Sequence, residues 1–157
     1  MDDNYGFTQA NILAFQGKGK ELRELLIKTG NSCTLVNHED IDGNGALHEA
    51  AMFGNTKCLE ILIGAGAELD KQNNEGETAA HLAATYGRTE CLKILIEAGA
   101  QVNLCDNNLR TVPRIAFEKG LTGYFPIMER FMGIQPNKGR HLWQARALEG
   151  RGTGPER

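Results

Sequence analysis

One stretch of this chain is written twice. Residues 43–69, GNGALHEAAMFGNTKCLEILIGAGAEL, align without a gap on residues 76–102, GETAAHLAATYGRTECLKILIEAGAQV, at an offset of 33. Gly43 falls on Gly76, His48 on His81, Ala50 and Ala51 on Ala83 and Ala84, and Gly54 on Gly87. Cys58 falls on Cys91, Leu59 on Leu92, Leu62 on Leu95, and Gly66–Ala67 on Gly99–Ala100. A repeat of this length is one supersecondary unit that cannot bury its apolar face alone, so copies must stack.

Each copy reads as two short helices. Ala46 to Phe53 is apolar-rich and is followed by Gly54, the residue favoured in the left-handed position that ends a helix. Thr56 and, one unit later, Thr89 are expected to cap the second helix. Leu59, Leu62 and Ile63 fall at i, i+3 and i+4, one buried stripe, with Glu60 outside it. Gly66 closes that helix, and a polar turn leads into the next copy.

This pattern resembles the ankyrin repeat, a β-turn finger followed by two antiparallel helices. The family's T-P-L-H signature is matched by Gly45-Ala46-Leu47-His48 and by Thr78-Ala79-Ala80-His81. The G-A plus polar ending is matched by Gly66-Ala67-Glu68 and Gly99-Ala100-Gln101. The resemblance covers about residues 8–133 and implies an all-α solenoid of about four stacked helix-turn-helix units with β-turn fingers. The units run over about 8–39, 40–72, 73–105 and 106–133. The first and last are degenerate, as capping repeats are. In the fourth, Thr111-Val112-Pro113-Arg114 stands for the signature, with Arg114 in place of histidine, and its second helix is expected to restart near Pro126. In the first, LRELLIKTG (22–30) matches CLEILIGAG (58–66) at an offset of 36, and the three extra residues fit the longer connection from Asn31 to Asp42.

Charge and cysteine usage narrow the function. Residues 1–133 carry 12 Lys/Arg against 18 Asp/Glu, while residues 134–157 carry 5 against 2. An acidic body offers no electrostatic footprint for nucleic acid. No apolar run nears the ~20 residues of a membrane span, and the acidic start MDDNYGFTQA is unlike a signal peptide. The expectation is a cytoplasmic or nuclear protein. The four cysteines show no CxxC spacing, which argues against zinc. Cys58 and Cys91 sit at equivalent points of stacked helices and are expected to be reduced, buried apolar residues. The basic tail 134–157, which contains the only Trp, is expected to be a flexible extension.

Three stretches invite chemistry. DIDGNG (40–45) has the early ligand spacing of an EF-hand calcium loop, so a calcium-responsive module on Asp40–Gly45 is the alternative to a binding scaffold. Loop position twelve, which should be a bidentate Glu, is Ala51, and no helix runs directly into the loop. Local side-chain-to-backbone bonds of Asp40, Asp42 and Asn44 in a tight turn explain the same letters. His48 and His81 recur as architecture does, and in the family the matching histidine bonds across the finger and between repeats. GKGKELRELL (17–26) lacks the full phosphate-loop spacing and reads as the turn between two helices. With no catalytic constellation, cofactor set or metal set, an enzyme is not expected.

The resemblance places function on the concave face, at the finger tips and the two residues before the glycine that ends each first helix. Carried over, the partner-binding candidates are Asp42, Asn44, Met52, Phe53, Asn74, Glu75, Glu77, Thr85, Tyr86 and Arg110. Ile41, Asn107, Asn108, Glu118 and Lys119 hold the remaining equivalent positions. Large apolar side chains at Met52, Phe53 and Tyr86, flanked by acidic fingers, suit a protein partner presenting a basic, partly apolar segment. The competing expectation for Phe53 and Tyr86 is packing against the next finger. The family resemblance also implies a monomer.

Overall fold

The computed structural model describes residues 8–30, 33–121 and 123, and the described elements are all helical. In chain order they are α1 (Gln9–Gln16), α2 (Gly19–Lys28), α3 (Cys33–Val36), α4 (Ala46–Phe53), α5 (Thr56–Gly64), α6 (Ala79–Thr85), α7 (Thr89–Glu97) and α8 (Val112–Glu118). In the three units whose two helices are both described, the first helix packs on its own second helix, and like packs on like. α1, α4, α6 and α8 form one layer, and α2, α5 and α7 form the other. Alanines dominate the first layer because its helices approach closely: Ala10, Ala14, Ala46, Ala50, Ala51, Ala79, Ala80, Ala83, Ala84 and Ala116 are all buried. Leu22, Leu59, Leu62, Leu92 and Leu95 fill the second layer with nothing exposed. Replacing any one of these leucines by alanine costs about 2–5 kcal/mol.

Glycine ends the first helices as the sequence implies. Gly17 and Gly54 sit in the left-handed region, and the next residue's amide returns to the helix: Lys18 N to Leu13 O at 3.0 Å, Asn55 N to Ala50 O at 2.9 Å. The expected threonine caps of α5 and α7 are not observed. Thr56 and Thr89 are the first helical residues, and the caps are Asn55 and Arg88, neither of which makes a side-chain cap bond. Those two side chains are committed elsewhere. Asn55 donates to the carbonyls of Ala14 (2.6 Å) and Phe15 (3.1 Å), and Arg88 Nε donates to the Met52 carbonyl (3.0 Å). Each therefore satisfies the open end of a helix in the preceding unit.

Between the helix pairs stand three fingers built alike. In each, an Asp or Asn carboxyl or amide oxygen accepts two amides: Asp40 from Asp42 and Asn44, Asn73 from Glu75 and Glu77, Asp106 from Asn108 and Arg110, all at 2.8–2.9 Å. Successive fingers are joined by Asn74 N to Asp42 O and Asn107 N to Glu75 O, both 3.0 Å. The connection before the first finger contains the single turn α3, which takes up the extra residues. The second helix expected after Pro126 and the tail 134–157 lie outside the described residues.

Finger stacking explains one residue that breaks the repeat. Gly43 and Gly76 have φ of 80° and 76°, and a Cβ there would lie 2.9 and 2.8 Å from the backbone nitrogens of Asn74 and Asn107. The third equivalent is Leu109, also left-handed at φ 60°. A side chain at that point leaves no room for a fourth finger in the same register. Gly76→Ala should therefore lower stability by about 2 kcal/mol or more, from strain and collision together. Leu109→Gly should be neutral or stabilising by up to about 1 kcal/mol. Urea unfolding midpoints at unchanged m-value decide both.

Candidate functional site

The concave face is assembled by polar side chains at the third position of the first helices. His48 Nδ1 accepts from Gly45 N at 3.1 Å, which fixes the other ring nitrogen, Nε2, as the donor to Lys71 O (3.0 Å) and Glu77 O (3.2 Å) in the next finger. His81 repeats this: Nδ1 accepts from Thr78 N (3.1 Å) and Nε2 donates to Arg110 O (3.0 Å). Burial pulls the His48 pKa below its ordinary value, although the carbonyls of Glu77 and Lys71 and the charges of Asp40 and Glu39 work the other way. Both rings are occupied, so neither is free for metal or acid–base work. In the first unit Asn11 holds the equivalent place and donates to Asn44 O at 3.2 Å.

The candidate residues divide between exposed and committed. Phe53 is 39% exposed and Tyr86 52% exposed, both at the ends of their helices. The Phe53 ring meets Phe15 of α1 edge-on at 4.5 Å between centroids. Met52 and Thr85 are half-buried beside them, and Thr85 Oγ1 is cut off from solvent without a partner. Asp42, Asn74 and Glu75 are exposed on the finger tips, although the Asn74 amide is tied to Ile41 O at 2.9 Å. Glu77 is half-buried and touches Asn73 at 3.4 Å. Arg110 is drawn onto its own finger, where its guanidinium grips Asp106 at 2.8 and 2.9 Å. Burial, peptide amides and Arg110 all bear on Asp106; burial raises its pKa, but the bonds prevail and the pKa is lowered. Asn44 must be corrected as a surface contact. It is buried, and its Oδ1 accepts from Asn73 at 2.9 Å, so it braces two fingers.

The calcium-like stretch is the first of the three fingers. Asp40 Oδ1 already holds two amides, and in the second finger the neutral Asn73 does the same work, so the turn closes without an ion. Among the described residues no group of three or more His, Cys, Asp or Glu side chains could hold a metal. Cys58 and Cys91 are buried and free, with thiol pKa values raised by burial, Cys91 to about 11. Both behave as small apolar residues.

Three residues of this face are missing from the partner-binding candidates read from the sequence. Ile12 and Phe15 of α1 are 38% and 50% exposed and continue the patch of Phe53. Phe15 stands two residues before Gly17, as Met52 stands before Gly54, which is the signal that could have found it. Glu49 is 5% exposed in α4, and burial followed by the charges of Asp40 and Asp42 pushes its pKa up to about 7. Its equivalents at offsets of 33 and 66, Leu82 and Ile115, are apolar, so a lone charge in an apolar row marked it.

The comparisons agree with this geometry. The family model described as Ankyrin repeats (3 copies) matches residues 10–128. The nuclear factor NF-kappa-B p105 subunits of Rattus norvegicus and Mus musculus are 33% and 31% identical over 73 residues. That stretch is 46% of this chain and 7% of each relative, so the chain spans only a small part of their length. No described helix is long and apolar enough to cross a membrane.

Glu49 makes a pH prediction. Its folded pKa lies above its unfolded one, so the folded state binds more protons and stability falls as pH rises from about 4.5 to about 7. Glu49→Gln removes that dependence. The variant should gain on the unsubstituted chain by about 2–3 kcal/mol between pH 4.5 and pH 8, read from urea unfolding at both values. Equal stability differences at the two pH values would show that Glu49 is not desolvated.

Proposed function

Because the chain belongs to the ankyrin-repeat family, we propose that it is a non-enzymatic adaptor, scaffold or inhibitor that holds a partner protein on its concave face. Ankyrin repeats generally mediate protein–protein interactions. The observation that carries the reading for this chain is the run of exposed Ile12, Phe15, Phe53 and Tyr86 along one edge of the first-helix layer. Aromatic side chains that the core does not bury are the usual anchors of a protein interface. The finger tips, at the opening ends of the same helices, carry exposed Asp42 and Glu75, so the partner is a basic, partly apolar segment. The relatives are called nuclear factors, which supports a cytoplasmic or nuclear setting. The basic tail 134–157 is a separate extension in this reading, and the stack acts as a monomer.

The test is capture from cell extract followed by mass spectrometry, with Phe53→Ala/Tyr86→Ala as the control. The double variant should lose the partner while its unfolding midpoint moves little, because both side chains keep much of their surface in water. Unchanged capture would sink the concave-face reading, and wholesale unfolding would make the two residues core. Calorimetric titration with calcium should give no heat of binding. Tight binding lost in Asp42→Ala would favour the calcium-responsive module instead.

A further inference from the structure

Three carboxylates are buried among the described residues: Asp40, Asp106 and Glu49. Asp40 holds the amides of Asp42 and Asn44, and Asp106 holds the amides of Asn108 and Arg110 and the Arg110 side chain. Glu49 is 95% buried, and its carboxylate has no hydrogen bond or ion pair among the described residues. A buried, unpaired carboxylate is costly, and an apolar residue fills the equivalent place in every other unit: Ile12, Leu82 and Ile115. The fold therefore gains nothing from a charge here.

The surroundings fit a cation. On α4, Glu49 shares a face with Met52 and Phe53, three and four residues on, and Phe53 meets Phe15 of α1. The adjoining finger adds the negative charges of Asp40 and Asp42 close enough to bear on Glu49. Basic groups of the neighbouring fingers and helices are engaged elsewhere: Lys71 pairs with Glu39, Arg110 with Asp106, and Arg88 with the Met52 carbonyl. Neither Glu49 oxygen is among the sealed, unpartnered polar atoms, although the residue as a whole is only 5% exposed. Thr85 Oγ1 alone, among the described side-chain polar atoms, is fully sealed without a partner.

We propose that Glu49 is the specificity-determining residue of the concave face, the seat for a lysine or arginine side chain of the bound segment. The cation's aliphatic stem lies along Phe15 and Phe53 while its head reaches the Glu49 carboxylate, with Asp42 at the rim. This rests on the concave-face reading above and adds to it the residue that selects for charge. An uncharged side chain in the same place leaves Glu49 desolvated and unpaired, which is how discrimination against neutral segments arises.

The test uses a phage-displayed library of random twelve-residue peptides selected on the full chain. The strongest binder is then measured by fluorescence anisotropy against the unsubstituted chain, Glu49→Gln, Glu49→Leu and Phe53→Ala/Tyr86→Ala. Selected peptides should carry a Lys or Arg at one fixed position. Glu49→Gln and Glu49→Leu should each weaken binding by about tenfold or more. Exchanging that cation for norleucine should cost as much on the unsubstituted chain and little on Glu49→Gln, the mark of a direct pair. Binding to Glu49→Gln within about twofold of the unsubstituted chain, with Phe53→Ala/Tyr86→Ala still weakened, would overturn the Glu49 seat and leave the concave face standing. Full binding by Phe53→Ala/Tyr86→Ala, or a selection without binders, would overturn both. Glu49→Gln removes a desolvated charge, so loss of folding does not cloud the result.

Discussion

The stack depends on one hydrogen bond made three times. A polar side chain at the third residue of a first helix reaches the carbonyl of the last finger residue in the next unit: Asn11 to Asn44, His48 to Glu77, His81 to Arg110. For the histidines the same ring also receives the amide that opens its own helix. Helix start, ring and following finger are thereby one rigid object. Because these rings are buried at 2% exposure or less, the bonds are made out of competition with water. The fourth equivalent is Arg114, which turns to Glu118 at 3.2 Å instead. Latch and finger glycine are lost in the same unit, where Leu109 takes the glycine's place.

From that bond follow both the shape of the concave face and what is left over on it. Fingers pinned to helices set Asp42 and Glu75 ahead of the starts of α4 and α6, while Phe53 and Tyr86 stand exposed at the far ends of those helices. The helix ends are held in turn by side chains from the following unit, Asn55 below α1 and Arg88 below α4. Little on this surface can rearrange independently. A surface braced in this way is preformed, so binding there would cost little free energy in ordering it. The Glu49 carboxylate and the Thr85 hydroxyl are the exceptions to an otherwise consistent design, since the buried polar groups of the described fingers and latches have their partners.

The repeat made most of the fold legible. Periodicity placed Ala46–Phe53 to the residue, the glycine stops fell where left-handed backbone is found, and the recurring histidines proved structural. What the letters did not disclose was competition for side chains. Thr56 and Thr89 look like caps, but the residues before them face the preceding helix, and the chain turns in accordingly. Asn44 looks like a finger-tip contact, but stacking of the next finger buries it against Asn73. Phe15 was hidden because the first unit aligns through its second helix, which leaves the first helix out of register. The letters of DIDGNG also have a turn-closing role that two other fingers share: Asn73 and Asp106 close the same turn from different local sequences.

The latch itself is open to direct observation. Long-range proton–nitrogen correlation of the imidazole rings at pH 7 reports which nitrogen of His48 and His81 carries the proton. The account predicts a single Nε2–H tautomer for both, with Nδ1 as the bare acceptor of the Gly45 and Thr78 amides. An Nδ1–H ring, or averaging between the two tautomers, would contradict it.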